Sequence, residues 1–298
     1  MDIEGFKDYR EAGKIHAEAL QYGLKLIKEG ESLLSVTKKI EEKIISIGGS
    51  FAFPPQISLN ETAAHYYPSD DDKTVFKNGD LAKLDIGIHK NGYIADGAVT
   101  VDVGGMNTEL VKASRDALNA ALKLCTPGTR IGEIGRAIQD AIESKGFVPV
   151  RNLSGHGLAR FVIHCPPTVP NVFTPDDYEL EEGLVIAIEP FASTGAGMVQ
   201  ERGEATLFML EKKRNVRSTF TREVLKTIET FNGLPFAKRS LVQKHSAAKV
   251  GFALRELEQL GALHSFPPLV DRANGKVSQA EHTVIVADKP IITTKWER

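Results

Sequence analysis

The chain has 298 residues, with 37 Lys and Arg against 39 Asp and Glu, for a formal net charge of −2. Near-neutrality and a pI of about 6.5 argue against a general nucleic-acid or membrane-surface binder. Hydrophobic content of 42% with 26% charged residues excludes a disordered or collagen-like chain, and the length fits two domains or one large unit of mixed helix and strand. The longest clean apolar run, Leu184–Ile188, is far shorter than the roughly 20 residues that span a bilayer. The opening MDIEGFKDYREAGK lacks the basic and apolar regions of a secretory signal. Two cysteines, Cys125 and Cys165, make neither a disulfide framework nor a CxxC metal site. A soluble, cytoplasmic protein is expected.

In chain order the first feature is a repeat. Shifted by 98 residues, 24–48 falls on 122–146 without a gap. Leu24, Lys25 and Leu26 meet Leu122, Lys123 and Leu124, and Gly30, Ile40, Ile44 and Gly48 meet Gly128, Ile138, Ile142 and Gly146. Each copy reads as helix, glycine turn, helix, glycine stop, with Leu33, Val36, Ile40, Ile44 and Ile47 on one helical face. After the first copy come strands over Leu81–His89 and Tyr93–Val103, joined at Asn91-Gly92, a strong hairpin signal. After the second come strands over Leu184–Phe191, Glu204–Leu210 and Val277–Ala287. Residues 211–263 are basic and read as helices over Arg222–Phe231, Lys238–Val250 and Phe252–Leu260, an insertion packed on one side. Two α+β halves with a sheet between them is the economical architecture.

The hairpin register follows from its turn. With Asn91-Gly92 as a two-residue loop, Lys90 faces Tyr93, Asp85 faces Ala98 and Gly87 faces Asp96. Asp85 and Asp96 then share a face while Ile86 and Ile88 point the other way. Asp85 alone reads better as a solvated strand-end acid, and the pairing with Asp96 reverses that. Two buried acids on one face repel unless a cation lies between them. Glu189 ends one apolar strand, Glu281 opens another, and His156 lies in the glycine-flanked loop Ser154–Gly157. Singly, each reads as readily as a surface or structural residue. Together, two Asp, two Glu and one His suit one or two Mn, Fe, Co or Zn ions better than a closed Cys-rich zinc site. Paired ions are a hydrolase arrangement that polarises a carbonyl and generates hydroxide near neutral pH.

Seven segments carry a resemblance. FPPQISLNETAAH (53–65), KLDIGIHKNGYIADGAVTV (83–101), NLSGHG (152–157), IHCPPTVPN (163–171), AIEPFAS (187–193), PPLVD (267–271) and QAEHTV (279–284) stand in the order found in methionine aminopeptidases. The chain resembles the type II enzymes of archaeal kind over essentially its whole length. The resemblance implies an α+β pita-bread (creatinase/aminopeptidase) fold across 1–298, two pseudo-symmetric halves around a central antiparallel sheet, with 211–263 as the helical insertion of type II. It implies metal ligands at Asp85, Asp96, His156, Glu189 and Glu281, with Asp96 and Glu281 bridging two divalent ions (Co, Mn, Fe or Zn). It further implies Glu189 as general base, His65 and His164 as substrate-side histidines, and Phe53 in the methionine pocket. The implied reaction removes the initiator methionine from nascent chains when the second residue is small, with the ribosome as a candidate partner, no membrane, and a monomer.

The chain departs from the family pattern at Gln56, Cys165-Pro166-Pro167, Phe266 and Ala280, none of them a ligand in that scheme. Two other readings remain open: an Xaa-Pro dipeptidase-like enzyme of the same fold, and a silent pita-bread module that binds RNA or protein through its basic insertion. The form of the first segment and the insertion at 211–263 weigh against the first, and the complete ligand set weighs against the second. A disulfide is weakly favoured in a cytoplasmic protein. Cys125 reads as a buried apolar residue, and Cys165, beside His164, leaves a reactive thiol open.

Overall fold

The computed structural model describes residues 5–296. The first amphipathic pair becomes α1 (Phe6–Leu26) and α2 (Leu33–Ser46), the latter capped by the Ser32 hydroxyl, which accepts from the Ser35 amide. There follow β1 (Ser50–Leu59), β2 (Thr62–Ala64) and the hairpin β3 (Leu81–Lys90) and β4 (Tyr93–Asp102). Asn91 and Gly92 take φ of 51° and 92°, as a tight two-residue hairpin turn requires. The second half opens with α3 (Thr108–Leu122) and α4 (Ile131–Glu143). The repeat extends to hydrogen bonds. Gly30 N–H donates to Phe76 O at 2.9 Å and Gly128 N–H to Leu180 O at 2.8 Å, with φ of 86° and 83°.

Next come β5 (Val148–Pro149), β6 (Ser154–Ala159), β7 (Val162–Pro170), β8 (Val185–Ile188), β9 (Phe191–Ser193), β10 (Val199–Glu201) and β11 (Leu207–Leu210). The single strand expected over Leu184–Phe191 is thus two, split at Glu189-Pro190, where proline has no N–H for the ladder. The strand expected from Glu204 begins only at Leu207. Residues 211–263 contain α5 (Thr219–Glu229), β12 (Phe236–Ala237), α6 (Lys238–Val242), α7 (Ala247–Gln259) and the start of β13 (Leu263–Phe266). The helix expected over Lys238–Val250 stops early because the Ser246 hydroxyl accepts from Lys249 N–H and starts a new helix, which merges Val250 with Phe252–Gln259. The last strands are β14 (Leu269–Asp271), β15 (Val277–Gln279), β16 (His282–Ile285) and β17 (Ile291–Ile292). Val277–Ala287 is therefore also interrupted, at Ala280-Glu281, where Glu281 N–H leaves its own strand for Ala98 O at 2.9 Å.

The first half's sheet runs β1-β3-β4 and the second's β17-β16-β8-β6-β7, all antiparallel. The halves join where β4 lies beside β16. Asp96 N–H donates to the Thr283 hydroxyl at 2.7 Å, and that hydroxyl donates to Asp96 O at 2.8 Å. Outer β1, middle β3 and inner β4 are thereby matched by β6, β8 and β16. Each half covers the outside of its sheet with its helix pair. Leu20, Leu33, Val36, Ile40 and Ile44 pack with Leu84, Ile86 and Ile88, and Leu118, Ile134, Ile138 and Ile142 with Ile186, Ile188 and Val284. Burial of such side chains at roughly 1.5–3 kcal/mol each is what holds the layers, and it leaves the opposite face of the sheet for chemistry.

Helices α5, α6 and α7 close a separate core of Val224, Ile228, Leu241, Val250, Leu254 and Leu257 over β11, β12 and β13. A buried clasp ties this unit to the first half. Arg239 at the start of α6 donates to both Glu41 carboxylate oxygens at 2.7 and 2.6 Å and, through Nε, to the Tyr67 hydroxyl at 3.0 Å. No helix among the described residues is long and apolar enough to cross a membrane.

Candidate metal centre

Asp85 and Asp96 stand mid-strand in β3 and β4, with Asp85 opposite Ala98 and Gly87 opposite Asp96, the register the two-residue turn demands. Leu84, Ile86 and Ile88 face the helices, so both acids face the other side. Glu189 lies directly after β8 and Glu281 directly before β16. The loop expected around His156 is instead strand β6, paired with β7 and β8. Glycine there provides space: a Cβ on Gly155 would sit 2.2 Å from Ala187 O, and one on Gly157 2.3 Å from Pro166 O. The flanking glycines let the strand carrying His156 close on its neighbours.

These five side chains line one cavity of about 560 Å³. Ligating atoms of Asp96, His156 and Glu281 all lie within 4.8 Å of one another. His156 Nε2 is 3.5 Å from Glu189 Oε1 and 3.7 Å from Asp96 Oδ2. A sixth polar residue, Gln279, donates to Glu281 Oε2 at 3.2 Å. Its position two residues before Glu281 was the available signal, and composition alone does not single it out.

The electrostatics favour a cation. Burial lifts the Asp85 carboxyl to about 7, against a lowering hydrogen bond from Gln279. Burial, then the Asp85 charge, raises Asp96 well above the carboxylate range. Glu189 and Glu281 rise for the same reasons, burial first and then their acidic neighbours. Burial and then His164 hold His156 down to about 3, so its ring is neutral and offers a lone pair. No Lys or Arg is among the described residues lining the cavity, and Asp85 Oδ1 and Asp96 Oδ1 are buried without a hydrogen-bond partner. Orphaned carboxyl oxygens beside a neutral imidazole form a hard-to-intermediate donor set, and a divalent cation, whose charge would hold the acids ionised, fits it. A larger cavity of about 670 Å³, lined by Lys25, Asp102, Lys112 and Trp296 among others, has no comparable convergence of acids.

Beside the acids is a substrate-sized wall. His65 and His164 flank Phe266 with ring centroids 5.3 and 6.4 Å from it, and His164 stands edge-on to His156 at 4.4 Å. Burial, then His164, lowers His65 to about 4, and burial, then His264, lowers His164, so both rings are neutral near pH 7. His65 has φ of 68°, a left-handed conformation that costs a non-glycine residue about 1–2 kcal/mol. Phe53 is 6% exposed and packs over Gly87, where a Cβ would come within 2.3 Å of its ring. With Ile163, Leu207 and Phe266 it makes the apolar side of the cavity.

Sequence reasoning missed His264, whose ring stacks edge-on to Phe266 at 4.5 Å on the cavity rim. Its alternation with Phe266 along β13 was the signal that could have found it. Cys165 also lines the cavity, but burial pushes its thiol up rather than toward thiolate, and Cys125 is fully buried. Both are free, as a chain without a disulfide requires.

This geometry has known relatives. The family model described as metallopeptidase family M24 matches residues 7–286. A methionine aminopeptidase of Archaeoglobus fulgidus is 46% identical over 297 residues, 99% of this chain and 100% of that one. The chain belongs to metallopeptidase family M24, among the methionine aminopeptidases. Among solved structures, methionine aminopeptidase from Thermotoga maritima is 25% identical with a TM-score of 0.73, covering 99% of this chain and 98% of that one. A thermophilic Arx1 reaches a TM-score of 0.87 at 15% identity, covering 100% of this chain and 92% of that one. At that identity the likeness shows the fold alone. The two-half frame is accordingly the pita-bread fold of M24, and membership makes this protein a metallopeptidase that uses divalent metal.

Proposed function

We propose that this M24 enzyme is a methionyl aminopeptidase that frees the initiator methionine of nascent chains in the cytoplasm when the second residue is small. The observation that carries the reading is a neutral histidine and four carboxylates converging on one cavity, Asp96 and Glu281 buried and Asp85 and Glu189 half-buried, without a protein cation, next to an apolar wall flanked by two neutral histidines. Asp85, Asp96, His156, Glu189 and Glu281 would hold two divalent ions, Co, Mn, Fe or Zn, with Asp96 and Glu281 shared between them. When bound, these ions supply Lewis acidity, polarising the scissile carbonyl and making water a nucleophile near neutral pH.

The chain's own groups do the rest. Phe53, Ile163 and Phe266 take the methionine side chain and exclude water. Glu189 Oε1, beside His156 Nε2 at 3.5 Å, accepts the proton of the attacking water and returns it to the leaving amine. His65 and His164, neutral at working pH, each offer one ring N–H, holding the peptide backbone and the developing oxyanion. The helical unit at 211–263 is an insertion subdomain that contributes Pro235 to the cavity rim, and β13, which begins at its end, supplies His264.

Metal-stripped protein given each ion in turn and a Met-Ala-Ser peptide should release methionine, with little release from Met-Leu or from Ala-Pro peptides. Equal rates on Met-Ala and Met-Leu peptides would remove the specificity. Cleavage of Ala-Pro instead would identify an Xaa-Pro dipeptidase, and silence with every ion would identify a binding module.

A further inference from the structure

The left-handed backbone of His65 has an unexplained support. Among the described residues six non-glycine residues have positive φ, and four of them are asparagine, which tolerates that region. Phe161 closes a turn next to the hairpin, where its N–H donates to Gly92 O at 2.8 Å. His65 is the case inside the cavity. Its N–H is not taken by a neighbouring strand but by a side chain, Gln56 Oε1, at 2.9 Å.

The sequence builds Gln56 for that position. β1 slips against β3 between Phe51 and Phe53 and again between Phe53 and Gln56, across Pro54-Pro55, which have no N–H to give the ladder. Pairing resumes with Gln56 opposite Asp85, so the Gln56 side chain shares the Asp85 face and enters the cavity. It is 7% exposed. The next residues hold the chain just beyond: Ile57 N–H donates to Tyr66 O at 3.1 Å and Tyr66 N–H to the Ser58 hydroxyl at 3.2 Å. Of these three bonds only the one from Gln56 acts on His65 itself.

We propose that Gln56 is a positioning residue for His65: its amide oxygen, accepting the His65 N–H, fixes the left-handed turn that sets the imidazole against the substrate. This rests on the role given to His65 above. A side chain that only filled space would not need an acceptor atom at that distance. Gln56 stands where eukaryotic relatives commonly have Gly, which has no side chain to supply such an acceptor.

Metal-loaded enzyme is assayed on a Met-Ala-Ser peptide as wild type, Gln56→Met, His65→Ala and the double variant. Gln56→Met should lower kcat about tenfold or more with KM little changed, because small misplacement of a reacting group is costly. It should change the His65→Ala enzyme by less than about twofold, since residues acting through one another are not additive. Equal losses in both backgrounds, or wild-type kcat for Gln56→Met beside a slow His65→Ala, would overturn the proposal. Wild-type kcat for His65→Ala would overturn the role of His65 instead, and this inference with it. Hydrogen exchange needs neither turnover nor a variant that folds: in metal-free wild type the His65 amide should exchange slowly, and rapid exchange refutes its bond to Gln56.

Discussion

The two halves of the molecule hold their acids differently on one frame. In the first, two unbroken ten-residue strands carry Asp85 and Asp96 at mid-strand, where the hairpin ladder fixes both backbones. In the second, the strands break at the acids. Glu189 follows four-residue β8 and precedes a proline, and Glu281 precedes four-residue β16 while its N–H bonds across the seam to Ala98. A short carboxylate suffices where the strand itself faces the cavity, and a longer one reaches back where the chain has left the ladder. The halves share the helix pairs, the glycine turns and the strand order, while the acids differ in both residue type and support.

The sharpest break of the comparison is to remove one inner acid from each half. Asp96→Ala and Glu281→Ala should each abolish turnover and lose at least one ion, read by elemental analysis of the dialysed protein beside a peptide assay. A metal-verified variant of either with near-normal activity would end the shared-ligand assignment. His65→Ala and His164→Ala, again one from each half, should lower kcat by about 10²–10³ with metal content intact, the loss typical of one oxyanion donor. kcat/KM should fall with kcat. If only one of them is slow, the halves do not share the work as proposed.

Smaller effects sharpen the structural side. The second half depends on Asp271, whose carboxylate accepts from the Ser193 hydroxyl and from the N–H groups of Ala196, Gly197, Ala273 and Gly275. Burial pushes this acid up, but the bonds from Ala196, Ala273, Ser193 and Gly275 outweigh it and hold it below the usual carboxylate range. Its contribution is therefore present above the unfolded pKa and is lost as pH falls through the lower folded value. Asp271→Asn should cost about 2–3 kcal/mol in a denaturant titration at pH 7, on the scale of hydrogen bonds to a charged group. The difference from wild type should shrink toward pH 3. The least effect is expected of Cys165→Ser, which should leave kcat within about twofold, because a half-buried thiol that desolvation pushes upward carries little thiolate to act as nucleophile. Damage equal to that of His164→Ala would reassign the chemistry to the sulfur.

The sequence displayed the first half's contribution more openly than the second's. Asn91-Gly92 admits one turn and therefore one register, and parity then puts Asp85 and Asp96 on one face. No such local device announces His156. Gly155 and Gly157 read as loop, and only the approach of Ala187 O and Pro166 O shows that they serve a tightly packed strand. The breaks at Glu189 and Ala280-Glu281 were hidden in apolar runs, although Pro190 marked one of them. The seam between β4 and β16 joins residues 187 apart in sequence, Asp96 to Thr283, a pairing that periodicity does not encode. Gln56, Gln279 and His264 are ordinary residues made functional by what folds against them.

That seam also has a meaning in time. Ribosomes deliver a chain from its N-terminus, and regions fold as they emerge. The hairpin with Asp85 and Asp96 is complete once Asp102 is out, yet Glu281 follows only 179 residues later. A half-synthesised molecule thus carries two acids and no finished centre.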